Sequence, residues 1–163
     1  MQDELLGGWR PVRWEWESCR TGQLLYATEN LEGLLIYAAD GTMSVRVRST
    51  RKASSSAPPP PWRLRQTPLQ WIKRLSVATP GYQWGYSGRY EIDEARSELL
   101  HHVELRSIGV SSEPILRRHF TLDADRLCLE YTDRGSRDRI HWRRAAARHG
   151  TRAAVSAQVG AVS

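Results

Sequence analysis

At 163 residues with 40% hydrophobic content, the chain is the size of one folded domain and can bury a core of its own. Two cysteines, Cys19 and Cys128, exclude a disulfide framework or a four-cysteine zinc site, and no apolar run approaches the roughly 18 residues of a membrane-spanning helix. The formal charge of +6 lies in residues 48–75, which hold seven bases and no acid, and in a tail carrying Arg148 and Arg152. That distribution argues against the one-sided basic face of a nucleic-acid module, and leaves an interaction module using the basic insert as the lesser reading.

The acidic start, Met1 to Glu4, followed by only Leu5-Leu6, does not read as a signal peptide, so a cytoplasmic location is expected. From Trp9 the chain alternates with period two, the signature of half-buried strands, and places Val12, Trp14 and Trp16 on one face. Gly33 to Tyr37 is a second strand, and Asp40-Gly41 predicts a hairpin in which both turn residues take positive φ. The return strand puts Met43, Val45 and Val47 on one face, with Ser44, Arg46 and Arg48 on the other.

Ser54 to Pro61, with four consecutive prolines, interrupts the pattern, and residues 48–66 read as a basic Pro/Ser-rich insert. Pro68 to Leu75 has the spacing of one short helix. Strands resume over Arg89 to Asp93, Leu99 to Leu105, Ile115 to Leu122, Leu127 to Tyr131 and Arg139 to Arg143. Residues 145–163 show no periodic apolar face and read as a disordered tail beyond a single domain over 1–144. A meander of this many short antiparallel strands closes to protect its edges, which predicts an all-β, eight-stranded up-and-down barrel.

Strand phase assigns the interior. Tyr82, Trp84, Tyr86, Tyr90 and Ile92 form an aromatic ladder broken by Gly88. Such a ladder serves either as core packing or as a cavity wall for a flat, largely apolar ligand. Leu99, Val103 and Leu105 place His101 inward, and Leu116, Phe120 and Leu122 do the same for Arg118. Two readings of this pair stand. In one, Arg118 meets a ligand anion while a neutral His101 serves as base or hydrogen-bond partner. In the other, Arg118 stacks on a tryptophan and His101 bonds a tyrosine within the core. No metal-ligand spacing, nucleophile elbow or phosphate-cradling glycine loop occurs, and Cys128 falls on the outer phase. Neither a metal nor a cofactor is expected.

Several stretches, in order, resemble the stand-alone lipocalin-like domain family of microbes over residues 5 to 144. They are Leu6-Gly7-Gly8-Trp9-Arg10, Gly33 to Tyr37 with Asp40 to Ser44, Tyr86 to Asp93, and His101-His102-Val103-Glu104. Arg118-His119-Phe120, Asp125-Arg126-Leu127 and the closing Trp142-Arg143-Arg144 continue the pattern. The resemblance implies a barrel with a ligand cavity, its floor packed by Trp9 against Arg143 or Arg144. It implies no single reaction, although some relatives resemble accessory proteins of specialised metabolism.

The expected function is therefore binding of a small apolar or aromatic molecule in specialised-metabolite biosynthesis. The chemistry expected is that of a cofactor-free cyclase or isomerase acting on a polyketide-like or terpenoid-like intermediate, with a non-catalytic carrier as the alternative. His101, Arg118 and Tyr90 are the catalytic candidates: Arg118 for developing negative charge, His101 or Tyr90 for proton transfer. Met43, Tyr37, Trp84, Tyr86, Phe120 and Tyr131 are the expected ligand contacts. No nucleic acid or membrane is expected as a partner.

Overall fold

A computed structural model describes residues 2–50, 83–107, 110, 112–133 and 135–146. A one-turn helix, α1 (Gln2–Leu5), precedes nine strands: β1 (Gly7–Ser18), β2 (Leu24–Thr28), β3 (Leu31–Tyr37), β4 (Thr42–Ser49) and β5 (Gln83–Asp93), followed by β6 (Glu98–Arg106), β7 (Ile115–Asp123), β8 (Arg126–Asp133) and β9 (Ser136–Arg144). All pairings are antiparallel, sequence neighbours pair from β3 through β9, and β1 also pairs with β9, which closes the sheet. The start of β1 pairs with β3 and its end with β2, so β2 and β3 together occupy one position of an eight-stranded barrel. The helix expected over 68–75, Tyr82 and nearly all of the insert and tail lie outside the described residues, and β2 is a strand the sequence pattern did not reveal.

Strand β4 shows the sequence logic at its cleanest. Met43, Val45, Val47 and Ser49 are buried while the alternate residues are exposed, as the phase predicts. The hairpin before it differs in detail from expectation. Only Gly41 takes positive φ (83°), with Ala38 N–H bonded to Thr42 O and Asp40 Oδ1 accepting from Thr42 N–H at 2.9 Å. Gly41 thus supplies the left-handed residue of a three-residue loop, and Asp40 serves as an acceptor instead of a second left-handed position.

Two bulges correct the predicted phases. The β1–β9 register slips between Pro11 and Arg13, leaving Val12 without an opposite number and 42% exposed. Pro11 has no N–H to give the ladder, so the irregularity falls where a hydrogen bond is already missing. The extra residue reverses the phase, which is how Trp9 and Trp14, five positions apart, both point inward. On β6 the register slips so that Ser87 faces Leu105 while Gly88 faces Val103, making Glu104 the extra residue. Leu105, expected inside, is therefore turned out and 71% exposed. Gly88 is required there, because a Cβ would lie 1.9 Å from the His102 carbonyl oxygen.

The core runs the length of the barrel but is packed unequally. At the end where α1 enters β1, Leu5, Trp9, Leu35, Leu99, Leu127 and Trp142 are each at most 2% exposed. Trp9 donates its indole N–H to Leu5 O at 2.9 Å, so the short helix is stitched down as a plug. The Arg144 guanidinium lies 4.2 Å from the Trp9 ring centre and donates to the Leu6 and Glu4 carbonyls. Of the two arginines expected against Trp9, Arg144 is the one that packs there, while Arg143 faces Asp125 at 3.8 Å. Among the described residues, no helix is long and apolar enough to cross a membrane.

Candidate functional site

Midway along the barrel, the interior changes from hydrocarbon to a chain of polar side chains. His101, on β6, is wholly buried between two tyrosines. Its Nε2 lies 2.8 Å from the Tyr37 hydroxyl of β3, and its Nδ1 lies 2.8 Å from the Tyr86 hydroxyl of β5. Burial, reinforced by the charge of Arg118 and then by His102, drives the His101 pKa down to about 3, so the ring is neutral at pH 7. A neutral imidazole donates from one nitrogen and accepts at the other.

One tyrosine hydroxyl therefore donates to the ring and the other accepts from it. Arg118 on β7 stands near the Tyr86 hydroxyl, and its positive charge works against the rise in pKa that burial imposes there. Burial raises the pKa of both tyrosines, so both keep their protons.

Arg118 is half-buried, and its guanidinium sits 4.5 Å from the centre of the Tyr131 ring. It stacks on a tyrosine instead of the tryptophan considered from sequence. Among the described residues it donates to Arg117 O at 3.3 Å and has no carboxylate partner.

Beyond this chain, toward the end away from α1, aromatic rings line the interior. Trp84 stacks on Tyr86 with centroids 6.2 Å apart and 18° between planes. Trp14 is edge-on to Trp16, Tyr26 and Trp84 at 5.8, 6.1 and 5.9 Å. Asp138 of β9 accepts the Trp14 indole N–H at 2.5 Å. Trp16, Trp84, Tyr131 and Asp138 are only half-buried, unlike the rings at the plugged end. The Trp84 indole nitrogen is itself buried and finds no hydrogen-bond partner among the described residues.

The fold thus brings together six of the expected site residues: Tyr37, Trp84, Tyr86, His101, Arg118 and Tyr131. Met43 and Phe120 point inward but are 4% and 6% exposed, packed within the core. Tyr90 stands apart. Its ring packs on Tyr37 at 4.8 Å, while its hydroxyl donates to Ala38 O at 3.1 Å and not to the His101 chain.

Sequence reasoning missed Asp138 and Tyr26 as lining residues. Extending the phase of Ile140 and Trp142 by one step would have found Asp138. The alternation of Leu24, Tyr26 and Thr28 would have found Tyr26, had that short segment been read as a strand.

The outer face of β7–β9 also carries an open groove of about 770 Å³, lined by His119, Thr121, Cys128, Glu130, Arg139 and His141 among others. Its charges are spent on one another. Arg139 lies 2.8 Å from Glu130 and 3.0 Å from Glu17, and His141 lies 3.4 Å from Glu15. Burial pushes the Cys128 thiol up to about 11, so this side chain keeps its proton. Among the described residues, no group of three or more His, Cys, Asp or Glu side chains is placed to hold a metal ion. The interior is the better candidate.

Residues 6–148 match the model of a family described as a lipocalin-like domain. No curated protein and no solved structure matches the chain.

Proposed function

We propose, from the premise that this chain belongs to the lipocalin-like domain family, that its barrel binds a flat, largely apolar small molecule in the half away from α1. The observation that supports this most is the half-exposure of Trp16, Trp84 and Tyr131, all pointing inward, in a barrel that seals Trp9 and Trp142 at its other end to 2% or less. Large rings are costly to leave wet. A ligand that covers them regains roughly 25 cal/mol for each Å² of apolar surface removed from water. Native mass spectrometry of the protein as purified tests this. A bound small molecule released on unfolding is the expected result, and quenching of tryptophan fluorescence by that molecule locates it. If neither that molecule nor any flat aromatic probe quenches the tryptophans, the reading fails.

The finer form of the proposal is a cofactor-free cyclase or isomerase of specialised metabolism, acting on a polyketide-like or terpenoid-like intermediate. It draws its support from the Tyr37–His101–Tyr86 chain with Arg118 beside it, since a barrel floor built only for packing would be more stable in hydrocarbon. In this proposal Arg118 and the Tyr86 hydroxyl meet the negative charge that develops on a ligand oxygen as a carbonyl enolises. His101, enclosed behind two tyrosines, acts by positioning Tyr86. The proton-handling role considered for Tyr90 passes to Tyr86, because Tyr90 is tied to Ala38.

Turnover of the identified ligand by the native protein, abolished by Arg118→Met with the fold intact, is the outcome that sustains catalysis. Binding without turnover reduces the protein to a carrier.

A further inference from the structure

The polar groups that face the aromatic half of the lumen are unbalanced. Arg118 brings a permanent positive charge on an inward phase, yet among the described residues no carboxylate pairs with it. The arginines at 13, 48, 117, 137 and 139 each lie against a glutamate, although they sit on the outside where pairing gains least.

The Arg118 guanidinium lies over the Tyr131 ring and donates to Arg117 O, which leaves most of its five N–H groups uncommitted. Trp84, stacked on Tyr86, adds a buried indole N–H without an acceptor among the described residues. The carboxylate of Asp138 lines the same barrel but takes the Trp14 indole N–H.

A surplus of aimed donors with one uncompensated charge is complementary to a ligand rich in acceptor oxygen. Planar oxyanions match a guanidinium fork bidentately, and hydrocarbon alone would leave the charge desolvated for nothing. Resting on the binding reading above, we infer that the ligand carries an anionic oxygen group, a carboxylate or an acidic enol, seated on Arg118 and the Tyr86 hydroxyl. A second, neutral acceptor on the same ring system meets the Trp84 indole N–H. The anion fixes the ligand's orientation: charged end toward His101, apolar body among Trp16, Trp84 and Tyr131.

Two fluorescent probes with the same rings separate this inference from the reading beneath it. Anilinonaphthalene sulfonate carries an anion, and N-phenylnaphthylamine lacks it. The native full-length protein is expected to bind the sulfonated dye about tenfold or more tighter, the worth of one charge-assisted fork. Arg118→Met is expected to erase that preference, so that the two dyes bind within about twofold of each other. Arg118→Lys, which keeps the charge but not the fork, is expected to retain only part of it.

If Arg118→Met fails to fold, the unmodified protein still decides: octanoate should displace the neutral dye about tenfold more effectively than octanol. Equal binding of the two dyes, or equal displacement by acid and alcohol, overturns the anion site while leaving a general apolar lumen intact. Failure of both dyes to bind overturns the binding reading and this inference together.

Discussion

The two halves of the barrel are built from the same kinds of residue and do different things with them. At the α1 end, Trp9 and Trp142 are sealed, and the arginine present, Arg144, spends its guanidinium on a ring face and two backbone carbonyls. In the other half, Trp16 and Trp84 stay half-exposed, and Arg118 lies over Tyr131 with most of its donors unused. The same cation–aromatic pairing therefore appears once with its polar demands met and once with them open. Satisfied groups hold a fold together; unsatisfied ones facing a lumen are where a ligand gains most.

This contrast predicts that substitutions at the plugged end cost stability and those at the other end cost binding. The largest loss is expected for Trp9→Ala, which empties a fully buried site. Its unfolding free energy should drop by about 3–5 kcal/mol in urea titration, and a drop below 1 kcal/mol would mean that the plug is not what holds the barrel.

Next comes His101→Phe, at the boundary between the halves. It leaves the Tyr37 and Tyr86 hydroxyls without their shared partner, at a cost of about 2–3 kcal/mol. The same residue sets an acid sensitivity. Its folded pKa of about 3 lies below the unfolded value of 6.5, so the unfolded chain takes up a proton that the folded one refuses. The stability linked to His101 is complete above about pH 6.5 and is lost as pH falls toward 3, at up to about 1.4 kcal/mol per pH unit. Urea midpoints measured between those limits should show a steeper decline in the wild-type protein than in His101→Phe.

Arg144→Met should cost about 1–2 kcal/mol through lost ring stacking and orphaned carbonyls, with dye binding unchanged. The smallest effect on folding is expected for Trp84→Phe, within about 0.5 kcal/mol, because it removes a donor that has no partner among the described residues. Its ligand affinity should nonetheless fall. A stability loss at Trp84 as large as that at Trp9 would erase the distinction between the halves.

Much of this was legible in the sequence because a strand's phase needs only its neighbours. Met43, Val45 and Val47 fix the orientation of β4, and Leu116 and Phe120 carry Arg118 inward with them. The errors arose where one strand answers to another. Pro11 signals an interruption without saying which residue is extra, nothing local marks Glu104, and each bulge reversed the phase beyond it. The site was half legible for a related reason. Periodicity could place His101 and Arg118 on the inner face, but that His101 bonds both Tyr37 and Tyr86 depends on the curvature that brings β3 and β5 around it. Arg144 rather than Arg143 against Trp9 likewise followed from register alone.

The seam between β1 and β9 governs how the protein reaches this form. Trp9 pairs with Arg144 and Ser18 with Ser136, so the longest ladder in the sheet joins the two ends of the described chain. Hairpins from β3 onward can form as soon as their two strands exist, but ring closure must wait for β9 to be made. Contacts this distant in sequence bear a large loop entropy before they gain anything, which places folding in the slow range of milliseconds to seconds. Until closure, β1 and β8 each offer a bare edge to other chains. Newly made protein is thus most prone to aggregate in the interval before its last strand docks.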